Sequence, residues 1–150
     1  MSEVKLSIVI PCYNEELSIN NLLIDIYDNF EDFKNYEIIL VDDGSRISLK
    51  DKINSDLKKA NLVVIRNEFN KGQTASIKIG IQHSRGSTIG LLDGDGQNPP
   101  SELKKMYEFY LQEDDNYDAI VSFREKRKDN LNKRITNLKN FHQNHTFSPK

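Results

Sequence analysis

The sequence predicts an α/β fold: a mostly parallel sheet flanked by helices. Two observations carry the prediction. Short apolar, β-branched runs alternate with segments whose apolar residues recur at helical spacing, the pattern of a parallel sheet covered on both faces. Each run is followed by a polar cluster, and in open α/β sheets ligands sit beyond the carboxyl ends of the strands.

Leu6-Ser7-Ile8-Val9-Ile10-Pro11 reads as a buried first strand that Pro11 ends. Asn14 or Tyr13 then precedes a helix with Glu15 and Glu16 in its first turn, where the macrodipole favours acids. Leu17, Leu22, Leu23, Ile26, Tyr27 and Phe30 supply its apolar stripe. Tyr36 to Val41 is the second strand, and Asp42-Asp43-Gly44-Ser45 follows it. A helix over 47–59, with Leu49, Ile53 and Leu57 on one face, leads to a third strand over 62–65. Asn70-Lys71-Gly72 lies in the next loop. A helix over 74–83, a strand over 87–92, a helix over 101–111 and a fifth strand over 119–123 complete the order, with Arg124 just past the last strand.

At 150 residues the chain can bury a real core, and 37% hydrophobic with 29% charged residues is the balance of a water-exposed globular protein. The net charge of −2 gives no indication of a nucleic-acid partner. The charge is unevenly spread. From Arg124 onward eight Lys/Arg face two acids, so these 27 residues carry about +6 and the remainder about −8. The division expected is a core over residues 1–124 and a basic, partly disordered tail over 125–150. Such a tail also suits phosphates or peripheral contact with an anionic membrane surface. Cys12 is the one cysteine, which excludes a disulfide framework and fits a reducing, cytoplasmic setting. No apolar run has the length of a membrane span, and the first strand begins too early for a signal peptide.

The chemistry centres on Asp93-Gly94-Asp95-Gly96-Gln97-Asn98-Pro99-Pro100, between the fourth strand and a helix start. Asp93 and Asp95 can face one open space, and Gly94 allows a large anionic ligand close to the backbone. A hard divalent cation, held by one or two carboxylates and completed by substrate phosphates, needs this arrangement. The dinucleotide fingerprint G-x-G-x-x-G is absent after the first strand, where Pro11-Cys12-Tyr13-Asn14 stands, and G-x-x-x-x-G-K-[ST] is absent throughout. Without a glycine-rich cradle, phosphates must be neutralised by a metal. An EF-hand fails at Gln97, Asn98 and Lys104. A phosphatase or receiver domain would place its nucleophile elsewhere in the strand order, and Gln97 is not the hydroxyl residue expected after a phosphatase acid pair. A simple Asp/Gly turn remains open on these residues alone.

Taken together, Ser7 to Glu16, Val41-Asp42-Asp43-Gly44-Ser45 and Asp93 to Pro100 resemble the family 2 glycosyltransferases of GT-A (Rossmann-like) fold. The Asp-x-Asp-x-Gln-x-x-Pro run, with Phe123-Arg124-Glu125-Lys126-Arg127-Lys128-Asp129, resembles their polyprenyl-phosphate branch, which includes dolichol-phosphate mannosyltransferase. The resemblance covers roughly residues 6–135. It implies that Pro11, Tyr13 and Glu15 contact the base and ribose, with Val41 and Asp43 flanking the base and Lys71 nearby. It implies that Asp93 and Asp95, around Gly94, bring Mg²⁺ or Mn²⁺ to the diphosphate, and that Gln97 lies beside the sugar. It sets Arg124, Arg127 and Lys128 against donor or acceptor phosphates.

The implied activity is metal-dependent, inverting transfer of a sugar from a UDP- or GDP-sugar to a dolichyl or undecaprenyl phosphate, in cell-envelope glycan synthesis at the cytoplasmic face of the membrane. Members continue well beyond the Arg-Lys-Asp signature, so the fold is expected to be incomplete at the C-terminus, and apolar surface left uncovered would favour homo-oligomers. Residues 140–150 depart from the family; His142 and His145 lack a third ligand and read as solvent-facing, and Asn144-His145-Thr146 matches a glycosylation sequon without a secretory context. Two further readings stay open: a nucleotide-sugar-binding module without turnover, and a non-enzymatic α/β interaction domain with structural rim acids.

Overall fold

The computed structural model describes residues 3–112, 118–121 and 136–137. The chain divides into two compact units, Met1–Lys104 and Lys105–Lys150. In the first, β1 (Leu6–Cys12), β2 (Tyr36–Asp42), β3 (Leu62–Arg66) and β4 (Thr88–Leu91) form one parallel sheet in the order β3-β2-β1-β4. The two most apolar strands, β1 and β2, are its centre and are almost wholly buried, as strands covered on both faces must be. The core joins Val9, Ile39 and Val41 with Ile65, Ile79 and Ile89. The chain steps from β1 outward to β3 and then returns to place β4 on the other side of β1. The switch point, where neighbouring crossovers part and leave a crevice, therefore lies at the carboxyl ends of β1 and β4. Those are the ends that carry Pro11 to Glu15 and Asp93 to Asp95.

Helix α1 spans Ile19–Asn29 and buries Ile19, Leu22, Leu23, Ile26 and Tyr27, spaced as one helical face. It begins later than the sequence predicts. Asn14 takes a left-handed φ of +58°, incompatible with entering a right-handed helix, and Glu15 to Ser18 form a turn instead. Leu17 is consequently 93% exposed and does not belong to the apolar stripe.

The helix expected over 47–59 is also broken. It is replaced by α2 (Leu49–Lys52) and a 3₁₀ turn over Ser55–Leu57, with extended ψ angles of 124° at Ile53 and 144° at Asn54. Asn20 of α1 causes the break locally: its amide donates to the Lys52 carbonyl and its Oδ1 accepts from Asn54 N–H. Leu49, Ile53 and Leu57 are buried all the same.

α3 (Gln73–His83) covers β1 and β2, and α4 spans Pro100–Gln112. In the second unit, β5 (Ile120–Val121) pairs antiparallel with β6 (Thr136–Asn137) in a sheet of its own. The fifth strand thus does not extend the parallel sheet; a two-residue strand needs no crossover to pair antiparallel. Arg124, Arg127, Lys128, His142, His145 and Asn144 lie outside the described residues, as does the boundary expected at residue 124. Among the described residues no helix is long and apolar enough to cross a membrane.

At the end of the sheet remote from the crevice, Glu37 is buried beside its register partner Ser7. It accepts from Ser7 Oγ at 2.7 Å, Arg85 N–H at 2.7 Å and Arg85 Nε at 2.8 Å. Burial opposes its charge, but the Arg85 and Ser7 donors outweigh burial and hold the carboxyl below its ordinary range. A carboxyl held low when folded adds stability that is full above the unfolded pKa and is lost as pH falls through the folded one. Urea midpoints of the parent are therefore expected to drop below about pH 4, and Glu37→Gln to show a shallower drop.

Candidate functional site

Four loops meet at the carboxyl rim, and polar side chains tie them together. Asn14 clasps the first two: its N–H donates to Ser45 Oγ and its Oδ1 accepts from Arg46 N–H, both at 2.9 Å. Ser18 Oγ donates to the Gly94 carbonyl at 3.1 Å, joining the first loop to the fourth.

Asp42 and Asp43 divide their work. Asp42 is fully buried and builds the turn, accepting from Ser45 N–H, Leu49 N–H and the Arg66 guanidinium. Asp43 joins the second loop to the third. Its Oδ1 accepts from Asn67 Nδ2 at 2.7 Å and Lys71 N–H at 2.9 Å, and its Oδ2 from Gly72 N–H at 2.8 Å. Burial raises its pKa, but these donors and the Ser76 hydroxyl hold it below the usual carboxylate range. Asp43 is thus an ionised acceptor at any neutral pH.

Gly44 permits this turn, with φ +71° and the backbone of the third loop pressed against it. A Cβ there would lie 2.5 Å from the Phe69 carbonyl carbon and 2.7 Å from Asn70 N. Gly44→Ala is expected to lose at least about 2 kcal/mol, from the left-handed strain plus displacement of that backbone, measured as a fall in thermal midpoint.

The loops enclose an open cavity of about 460 Å³. The first contributes Pro11, Cys12, Tyr13 and Glu15, and the second Asp43. Asn70 comes from the third, Gln73 and Ser76 from α3, and Asp93, Gly94 and Asp95 from the fourth. Gly94 is required by proximity: a Cβ would collide with Cys12 Sγ beneath it. Asp93 accepts from Gln73 Nε2 and Asn98 Nδ2. Asp95 is exposed, its Oδ1 accepting from Gln97 N–H at 2.9 Å.

Seven residues named from the sequence thereby come together: Pro11, Tyr13, Glu15, Asp43, Asp93, Gly94 and Asp95. Others are placed differently. Val41 has no exposed surface; its side chain packs in the core and cannot flank a base. Lys71 acts through its backbone on Asp43, while its ammonium sits 5.5 Å over the Phe69 ring. Gln97 is exposed and caps Asp95 through its N–H. Cys12, Asn70, Gln73 and Ser76 line the cavity without having been singled out. Burial first, then Glu15 and Asp42, push the Cys12 thiol up, so it stays protonated and is no nucleophile.

Four carboxylates line the cavity (Glu15, Asp43, Asp93 and Asp95), and no lysine or arginine among the described residues does. These carboxylates set like charge against any diphosphate that enters. Among the described residues no three His, Cys, Asp or Glu converge as a metal cage. Paired carboxylate oxygens finished by phosphate oxygens and water fit Mg²⁺ or Mn²⁺, which prefer such donors, and do not fit a structural zinc.

The profile of Glycosyl transferase family 2 matches residues 7–150. The chain belongs to that family. Two curated relatives are undecaprenyl-phosphate 4-deoxy-4-formamido-L-arabinose transferases. The one from Aeromonas hydrophila is 36% identical over 85% of this chain and 40% of its own length. The one from Pseudomonas paraeruginosa is 36% identical over 82% and 36%. The family 2 chain described here thus spans about two-fifths of these relatives. Staphylococcus aureus TarS, residues 1–349, solved in complex with UDP-GlcNAc, superposes at TM-score 0.61 and 26% identity, over 73% of this chain and 32% of that one. The mannosyltransferase PcManGT from Pyrobaculum calidifontis, solved with GDP-Man and Mn²⁺, has TM-score 0.61 at 19% identity, over 73% and 33%. The parallel sheet and flanking helices are those of the GT-A fold.

Proposed function

We propose that the cavity is the donor site of a glycosyltransferase that moves a sugar from a nucleoside diphosphate to a polyprenyl phosphate, with inversion and with a divalent cation. The observation that carries this reading is the acidic cavity at the switch point, whose carboxylates would repel a diphosphate unless a metal lay between them. Family membership and two relatives named for undecaprenyl phosphate support the acceptor class.

Asp93 and Asp95 would hold the cation, which supplies charge stabilisation on the departing diphosphate. Asp43 would accept from the base. Both lone pairs of its Oδ1 are taken by Asn67 and Lys71, and Gly72 takes one on Oδ2. The Ser76 hydroxyl also donates to this carboxylate, so a base N–H would take the position that this hydroxyl gives up by rotating. The single ring N–H of uracil needs one such position and the two-donor edge of guanine needs two. A phosphate oxygen of the acceptor would attack the anomeric carbon as the bond to the diphosphate breaks. A phosphate monoester is already about −1.5 to −2 at pH 7 and needs no general base. In-line attack inverts the centre. Arg124, Arg127 and Lys128 are set against the donor or the acceptor phosphates by the family resemblance alone, in keeping with a site at the cytoplasmic membrane surface.

Calorimetry tests the donor half: UDP should bind with Mn²⁺ at least about tenfold tighter than GDP, a difference of about 1.4 kcal/mol. Equal affinities would remove the base assignment. Sugar transfer to a short-chain polyprenyl phosphate separates an active transferase from a binding module without turnover.

A further inference from the structure

Asp93 is held from two sides. Gln73 Nε2 donates to its Oδ1 at 3.1 Å, and Asn98 Nδ2 donates to its Oδ2 at 2.6 Å. Gln73 opens α3 directly after Lys71 and Gly72, whose backbone N–H groups hold Asp43. One tripeptide, Lys71-Gly72-Gln73, therefore reaches carboxylates on two different rim loops. Asn98 lies five residues beyond Asp93, past the Asp95 turn, and folds that loop back onto Asp93.

The chemistry of the two donors is selective. A side-chain amide is neutral and does not titrate, so it orients a carboxylate without cancelling its charge. A lysine or arginine in either place would compete with a cation for that charge. Each Asp93 oxygen keeps a second lone pair, and with both amides in place the carboxylate plane is set before any ligand arrives.

We infer that Gln73 and Asn98 are positioning residues that fix the Asp93 carboxylate for the donor's metal. The inference rests on the donor-site reading above. Removing an outer-shell partner of a metal ligand typically lowers metal affinity about 10–100-fold.

The test is calorimetric titration of Mn²⁺ into the chain at saturating UDP, with Gln73→Leu, Asn98→Ala and the double variant. Each single variant should bind Mn²⁺ about tenfold more weakly. The double loss should differ from the product of the single losses, because both act on one carboxylate. Affinity for uridine, which carries no phosphate and needs no metal, and the thermal midpoint should match the parent. A midpoint lowered in Gln73→Leu leaves Asn98→Ala to decide. Parent-like Mn²⁺ affinity in both single variants overturns the inference alone. An equal loss of uridine affinity also overturns it, since Gln73 would then touch the nucleoside directly. A parent chain that takes up no Mn²⁺ with UDP overturns the donor reading, and the inference with it.

Discussion

Asp43→Ala is expected to lose about 3–5 kcal/mol of stability and all measurable nucleotide binding. The stability loss follows from three donors that converge on one buried carboxylate: Asn67 Nδ2, Lys71 N–H and Gly72 N–H. Each donor left without its acceptor forfeits about 1–3 kcal/mol, less where water enters the gap. Asp43→Asn keeps the volume but turns an NH₂ group toward one of these N–H donors, so it should fall between alanine and the parent. The binding loss has a separate origin, because Asp43 faces the cavity and the third loop depends on it for its position. Urea denaturation and UDP calorimetry read the two effects independently. An alanine variant with parental stability would mean that the third loop is held by other contacts.

Asp95→Asn is expected to lower sugar transfer, assayed in a chain that carries its acceptor half, by about 10²–10³-fold, the scale of losing one preorganised electrostatic contact at a developing charge. Asp95 is the carboxylate on the rim that is least committed to the protein. It is exposed, and the hydrogen bond to it is the local one from Gln97 N–H. Its amide would keep that turn while halving the charge offered to a cation by Asp93 and Asp95. Stability should therefore change by less than about 0.5 kcal/mol, as for surface positions without buried contacts. Full activity of Asp95→Asn with metal present would contradict the scheme.

Much of this was legible in the sequence because it depends on local physics. Leu6 to Pro11 and Tyr36 to Val41 are continuous apolar runs, and such runs become central strands. Their ends carry the groups that cannot enter a sheet, so the rim was readable from Pro11, Tyr13, Asp43, Asp93 and Asp95. What was not legible depends on distant partners. Asn14 takes its left-handed conformation because Ser45 and Arg46 complete a clasp with it. The helix over 47–59 breaks because Asn20, more than thirty residues away, satisfies backbone groups there. Val41 sits next to the acidic pair but faces the core, and Gln73 stood outside the helix expected over 74–83, whereas it is the first residue of α3. The fifth strand had the right residue types, yet pairing partners and not residue types decide which sheet a two-residue strand joins.

The central claim is that Asp93 and Asp95 present a metal to a nucleoside diphosphate. The most direct measurement is an anomalous difference map from a crystal of the chain grown with UDP and Mn²⁺. The account predicts a manganese peak within coordination distance of Asp95, in contact with the diphosphate, with Asp93 still held by Gln73 and Asn98 and the uracil against Asp43. UDP bound with its phosphates away from the Asp93–Asp95 loop, or bound there with no manganese peak, would contradict it.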